Sequence, residues 1–161
     1  MSKGKIFRDA MKRGMVAAPG CWAGFGELQA GEMGRFGYPP AHGIVVDAYA
    51  CSHGGDGRER RDRQSVFIHL LAIHAVIERG VTAPQRIALL QRATAGHPDF
   101  PLLERPAGHP ALAFTHLLQA RDADDYDRRA REWAAAVWAF WAPEHERIRA
   151  YAGLQERRQV G

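Results

Sequence analysis

Between Gln64 and Arg79 the apolar residues Val66, Leu70, Ile73 and Ile77 recur at intervals of three and four. Only a helix turning by about 100° per residue gathers such positions on one face. The segment therefore predicts an amphipathic helix with one buried side. Gly80 stands where the chain leaves it, because glycine enters the left-handed region without steric cost. Thr82-Ala-Pro-Gln85 follows at once. Threonine can accept a free backbone N–H, proline suits a first helical turn, and glutamine three residues on completes a capping box. A second helix is expected there, with Ile87, Leu90 and Ala93 on its core face.

The rest of the chain reads in the same language. Over His42–His53, Ile44, Val45 and Ala48 fall on one helical side with Cys51 nearby, while His42, Val46, Tyr49 and His53 form another stripe. A strand through Ile44–Val46 is the alternative. Cys21–Met33 predicts a short helix, although Gly24, Gly26 and Gly31 each weaken it by about 1 kcal/mol relative to alanine. Gly37-Tyr-Pro-Pro40 is a loop. His97 to Pro106 is spaced by prolines and predicts an extended connector, with Phe100, Leu102 and Leu103 tucked onto the bundle. A short helix over Ala111–Ala120 comes next. Tyr126, Trp133, Val137 and Phe140 then mark a long helix, its apolar face widened by Trp138 and Trp141. Pro143 ends it, and a last helix runs from about Glu144 to Glu156. The expected fold is all-α, a compact helical bundle with one long Pro-rich connector. A flexible basic lead-in over 1–18, a single helical domain over 19–156 and a tail over 157–161 complete the organisation.

A length of 161 residues suits one domain with a proper core. No run of about 18 apolar residues exists, so no membrane span is expected. The basic start lacks the apolar stretch of a secretory signal. Cys21 and Cys51 are too few for a disulfide framework or a four-thiolate zinc site. Both read as reduced, buried small hydrophobes of a cytoplasmic protein. The net charge of +4 invites a nucleic-acid partner, but outside the basic start and the last stretch ending Glu156-Arg157-Arg158 arginines interleave with acids, as in Arg58–Arg63. Mixed runs make solvated helical faces rather than a continuous phosphate-binding surface.

The candidate pocket combines Asp47, Tyr49 and His53 with Gln64, His69 and His74, on two neighbouring helices. Imidazole and carboxylate are the ligands that zinc, iron or nickel accept. No local clamp exists, however. His69 and His74 lie five residues apart and point about 140° from each other, whereas a chelating pair needs a spacing of four. A metal site would have to take one ligand from each of several helices, and Asp47, His69 and His145 are that set. The plain alternative makes His69 and His74 hydrogen-bonded boundary residues, flanking the apolar stripe of their helix. Asp47, set among Ile44, Val45, Val46 and Ala48, is a semi-buried carboxylate that needs a partner. Tyr49 or an arginine of the Arg58–Arg63 run is the structural candidate. Gln64 with Ser65 has an equally plain role at a helix start.

Trp133, Trp138 and Trp141 have core spacing. Gly54-Gly-Asp-Gly57 lacks the Gly-Lys-Ser/Thr ending of a phosphate loop. Neither a Gly-x-Ser-x-Gly elbow nor a His-Glu-x-x-His motif is present.

Gly20-Cys-Trp22, Val46-Asp-Ala-Tyr-Ala50, Gln64-Ser65 with His69-Leu70, Glu78-Arg-Gly80 and the tryptophan-rich segment ending Trp141-Ala-Pro143 occur in this order. Together they resemble an uncharacterised bacterial family catalogued as a domain of unknown function, over about Pro19 to Tyr151. The resemblance implies a compact helical protein of similar length and brings no reaction with it. Relatives often carry a cysteine pair ahead of the Cys-Trp element. This chain has none, so a zinc site built on that pair has no counterpart here.

The expected function is a polar inter-helix pocket for a divalent metal such as zinc, or for a small molecule. Asp47 and His69 would sit at its centre, with His53 or His145 as third ligand or general base. The competing expectation is a non-catalytic interaction or homo-oligomerisation module, with exposed tryptophans and structural histidines.

Overall fold

The computed structural model describes residues 19–37, 39–54 and 59–160. The basic lead-in over 1–18, Tyr38 and most of the Gly54–Gly57 loop lie outside the described residues. So do the side chains of 19–22, and with them the expected burial of Cys21.

Six α-helices and two 3₁₀ turns make up the described fold: α1 (Pro19–Phe36), α2 (His42–His53), α3 (Arg60–Arg79), α4 (Ala83–Thr94), α5 (Ala123–Phe140) and α6 (His145–Val160), with 3₁₀ turns at Phe114–Gln119 and Ala142–Glu144. No strand occurs among the described residues, so the alternative at Ile44–Val46 gives way to helix. No described helix is long and apolar enough to cross a membrane.

Helix α3 is the axle, packing against α2, α4, α5 and α6. Its Val66, Phe67, Leu70, Leu71 and Ile73 are all buried, which is a wider face than the four-residue stripe alone. Gly80 ends it at φ 62°, and Val81 N–H returns to the Ala75 carbonyl at 3.2 Å. The capping box forms as its residues require: Thr82 N–H donates to Gln85 Oε1 at 2.8 Å, and Gln85 N–H to Thr82 Oγ1 at 3.4 Å. Helix α5 brings Tyr126, Trp133 and Val137 into the same core. Trp133 and Trp141 have no exposed surface, and Trp138 only 5 %, so these three tryptophans do not form the exposed patch that an interaction module would show.

Three local expectations need correction. On α4, Ala93 is buried as expected, but Ile87 is half exposed and Leu89 packs on the core. The inward face is the one that carries Arg86, for a reason given below. Leu102 of the connector is 54 % exposed, whereas Phe100 and Leu103 are buried. The helix expected over Ala111–Ala120 shortens to a 3₁₀ turn.

The connector is held by polar ties. Phe100 N–H donates to Gln64 Oε1 at 3.2 Å, Gln64 Nε2–H donates to the Phe100 carbonyl at 3.5 Å, and Phe100 stacks on Phe67 at 4.8 Å. Arg105 then reaches the open end of α2, donating to the carbonyls of Ser52 (2.8 Å), Gly54 (2.9 Å) and Cys51 (3.4 Å). A cation there satisfies orphan carbonyls and meets the negative end of the helix dipole.

Candidate functional site

Asp47 lies on α2 with no exposed surface. Such a carboxylate stays ionised only with strong partners, and it has two. Arg86 of α4 grips both oxygens, Nε on Oδ2 and the terminal nitrogen on Oδ1, each at 2.5 Å. His69 of α3 donates Nδ1–H to Oδ1 at 2.7 Å. The partner is therefore neither Tyr49 nor an arginine of 58–63, as the sequence suggests, but a side chain 39 positions away. Room for it comes from Gly43, one turn before Asp47. A Cβ at Gly43 would lie 2.7 Å from the Arg86 guanidinium. Local periodicity carries no trace of this pairing; an isolated glycine inside a helix, four residues before a buried acid, was the one available signal.

The ion pair has a consequence for His69. An ionised carboxylate only accepts, so Nδ1 carries a proton, and in the neutral form of such a ring the lone pair is at Nε2. Nε2 has no hydrogen-bond partner among the described residues. The His69 side chain is 23 % exposed, and its exposed edge is not the one bearing Nδ1, which is turned to a sealed carboxylate. The residue borders a cleft of about 510 Å³ between α1, α2 and α3, lined also by Phe25, Tyr49, His53, Asp62 and Ser65.

Tyr49 and His53 stand one turn apart on α2. The Tyr49 ring stacks on Phe25 at 4.0 Å and meets His53 at 4.4 Å. Both ring nitrogens of His53 are buried without a hydrogen-bond partner among the described residues. Burial, aided by the nearby positive charges of Arg105 and His109, pushes its pKa down to about 4. His53 is thus a neutral imidazole with one donor and one acceptor unmet, an uncommon state for buried polar atoms.

Four of the six pocket candidates, Asp47, Tyr49, His53 and His69, come together here. Gln64 is committed to the Phe100 backbone. His74 emerges on another side of α3, as the five-residue spacing requires, stacked against Trp138 at 5.5 Å. The metal set is not assembled. His145 donates Nε2–H to the Trp138 carbonyl at 2.7 Å and stacks on that indole at 3.7 Å, while both oxygens of Asp47 are occupied. Among the described residues no group of three His, Cys, Asp or Glu side chains is placed to hold a metal ion.

A family model described as a family of unknown function (DUF5946) matches residues 10–142, a span that includes every residue of the cleft. No curated protein and no solved structure matches the chain.

Proposed function

Because the chain belongs to this family of unknown function, and membership carries no reaction, we propose from its own residues that it binds a small organic molecule in the cleft between α1, α2 and α3. The reading rests on one observation above the others. His69 is oriented from behind by a buried carboxylate and lines a concave site. Imidazoles held this way are the usual means of presenting a lone pair of fixed direction. The His53 ring, packed on Tyr49, closes the wall beside it. Phe25, Val46 and Tyr49 offer an apolar floor. The ligand class that answers these groups is a compact molecule with a hydroxyl or N–H donor for His69 Nε2 and a flat or aliphatic body. Binding at Nε2 is also the geometry of proton acceptance, so any catalysis here is general-base chemistry through that same atom.

The test is a ligand-observed NMR screen of hydroxyl- and amide-bearing fragments against the wild-type chain, His69→Phe and His53→Phe. The expected result is saturable binding that perturbs Tyr49, His53 and His69 and weakens at least tenfold in His69→Phe, with Arg86 still holding Asp47 and the fold intact. Fragments that bind the folded variant as well as the wild type would defeat the proposal.

A further inference from the structure

Helices α3, α4 and α6 leave a cavity of about 230 Å³ between them, and it shares no residue with the cleft at His69. Each helix contributes an alanine to the lining, Ala75, Ala93 and Ala152, where a larger side chain would close the gap. Leu71 of α3, Leu89 of α4 and Val81 between those helices complete an apolar surround. His74 is the one buried polar residue of the lining, and its Nδ1 lies 3.2 Å from Glu78, which is not part of it. A dry apolar cavity of about 150 Å³ takes a benzene ring, so this volume admits a ring with a short chain attached.

The charged groups of the lining decide what such a ligand carries. Apart from His74 they are Arg79, Arg92 and Glu156, all exposed. Arg79 of α3 and Glu156 of α6 pair with each other at 2.7 Å, so their charges cancel. Arg92 is different: its guanidinium makes no hydrogen bond or ion pair among the described residues. It shares a face of α4 with Leu89 and Gln85, at spacings of three and four. Gln85 commits its oxygen to Thr82 N–H in the capping box, which leaves its amide N–H groups to offer. The unspent groups are therefore donors, with one positive charge left over. A carboxylate matches the planar fork of a guanidinium through two parallel hydrogen bonds. A phosphate monoester would bring a further negative charge towards Glu156, which disfavours it.

We propose that this cavity binds a small monocarboxylic acid, with an aryl or branched alkyl body among the alanines and leucines and the carboxylate on Arg92. Nothing in the site is shared with the cleft at His69, so the two proposals stand or fall separately.

Calorimetric titration with 3-phenylpropanoate, and with 3-phenylpropanamide as its uncharged counterpart, tests the assignment on the full chain. The expected result is saturable binding of the acid about tenfold tighter than that of the amide, as a charge-assisted hydrogen bond provides. Arg92→Gln, at an exposed position, keeps the fold and removes that preference. Glu156→Gln acts in the opposite direction: it frees Arg79, tightens the acid several-fold and leaves the amide as it was. An arginine that serves only to solvate α4 predicts neither change. Ala152→Leu fills the space and weakens both ligands alike, with circular dichroism confirming the fold. His69→Phe changes none of these affinities. Equal affinity for acid and amide, a preference that survives Arg92→Gln, or no saturable binding at all would overturn the proposal.

Discussion

Asp47 has two partners and no solvent, so a change to it acts on Arg86 and His69 together. Removing one member of a buried ion pair leaves the other charge uncompensated, at a cost of about 3–5 kcal/mol. Asp47→Asn is accordingly expected to lower the urea midpoint sharply while His69→Phe lowers it little. Arg86→Met should be costly alone but nearly free in the Asp47→Asn background, a coupling that a double-mutant cycle reads directly. Gly43 gives a finer check. Alanine inside a helix normally gains about 1 kcal/mol over glycine, yet its Cβ would collide with the guanidinium that grips Asp47. Gly43→Ala should destabilise the wild type and stabilise Arg86→Met. Equal effects in both backgrounds would mean that the glycine is not there for the arginine. The sequence marked Asp47 as a carboxylate in need of a partner, because its neighbours are apolar. The partner's identity was not legible, since a pairing across 39 residues depends on how α4 is rotated, and its apolar pattern suggested a different rotation.

At the scale of elements, legibility follows the strength of local rules. Where capping chemistry and periodicity agreed, as from Val66 through Gln85, helix ends and the capping box were readable before any coordinates. Where tertiary contacts decide, they were not. Arg105 looked like one more charge in a proline-rich connector, yet it closes α2 by binding three carbonyls while lying over Phe140 at 5.0 Å. Arg105→Met should cost about 2–3 kcal/mol, the range for charge-assisted hydrogen bonds, and hydrogen exchange should quicken in the last turn of α2. Because that turn carries His53, the same variant is expected to loosen the cleft wall. Unchanged exchange over residues 49–53 would show that Trp141, whose indole N–H also reaches the Cys51 carbonyl at 2.9 Å, is sufficient by itself.

For the whole molecule, burial of histidine makes stability depend on pH. The folded state keeps His53 neutral down to about 4, whereas the unfolded chain takes up that proton near 6.5. His74, also depressed by burial, acts in the same direction. Between those limits the unfolded state binds more protons, so stability is full above about 6.5 and falls as the pH drops towards 4. Glu32, whose carboxyl is raised by burial, opposes this above its ordinary 4.5, and comparison of wild type with His53→Phe isolates the histidine contribution. The variant should show a flatter profile from pH 6.5 to 4; an unchanged slope would contradict the burial argument. The bundle itself was readable from spacing, and the cleft only in part. Asp47, Tyr49, His53 and His69 were identifiable as polar residues on two helices, but which of them share a wall depends on the crossing of α2 and α3 and on the placement of Phe25 from α1. The central claim is that Asp47 fixes His69 with its lone pair at Nε2, towards the cleft. Long-range ¹H–¹⁵N NMR of histidine-labelled protein at neutral pH reads that directly. The expected result is a His69 ring protonated at Nδ1, with the Nε2 signal moving when a cleft ligand binds. A ring protonated at Nε2 alone, or an Nε2 signal indifferent to every bound fragment, would contradict it.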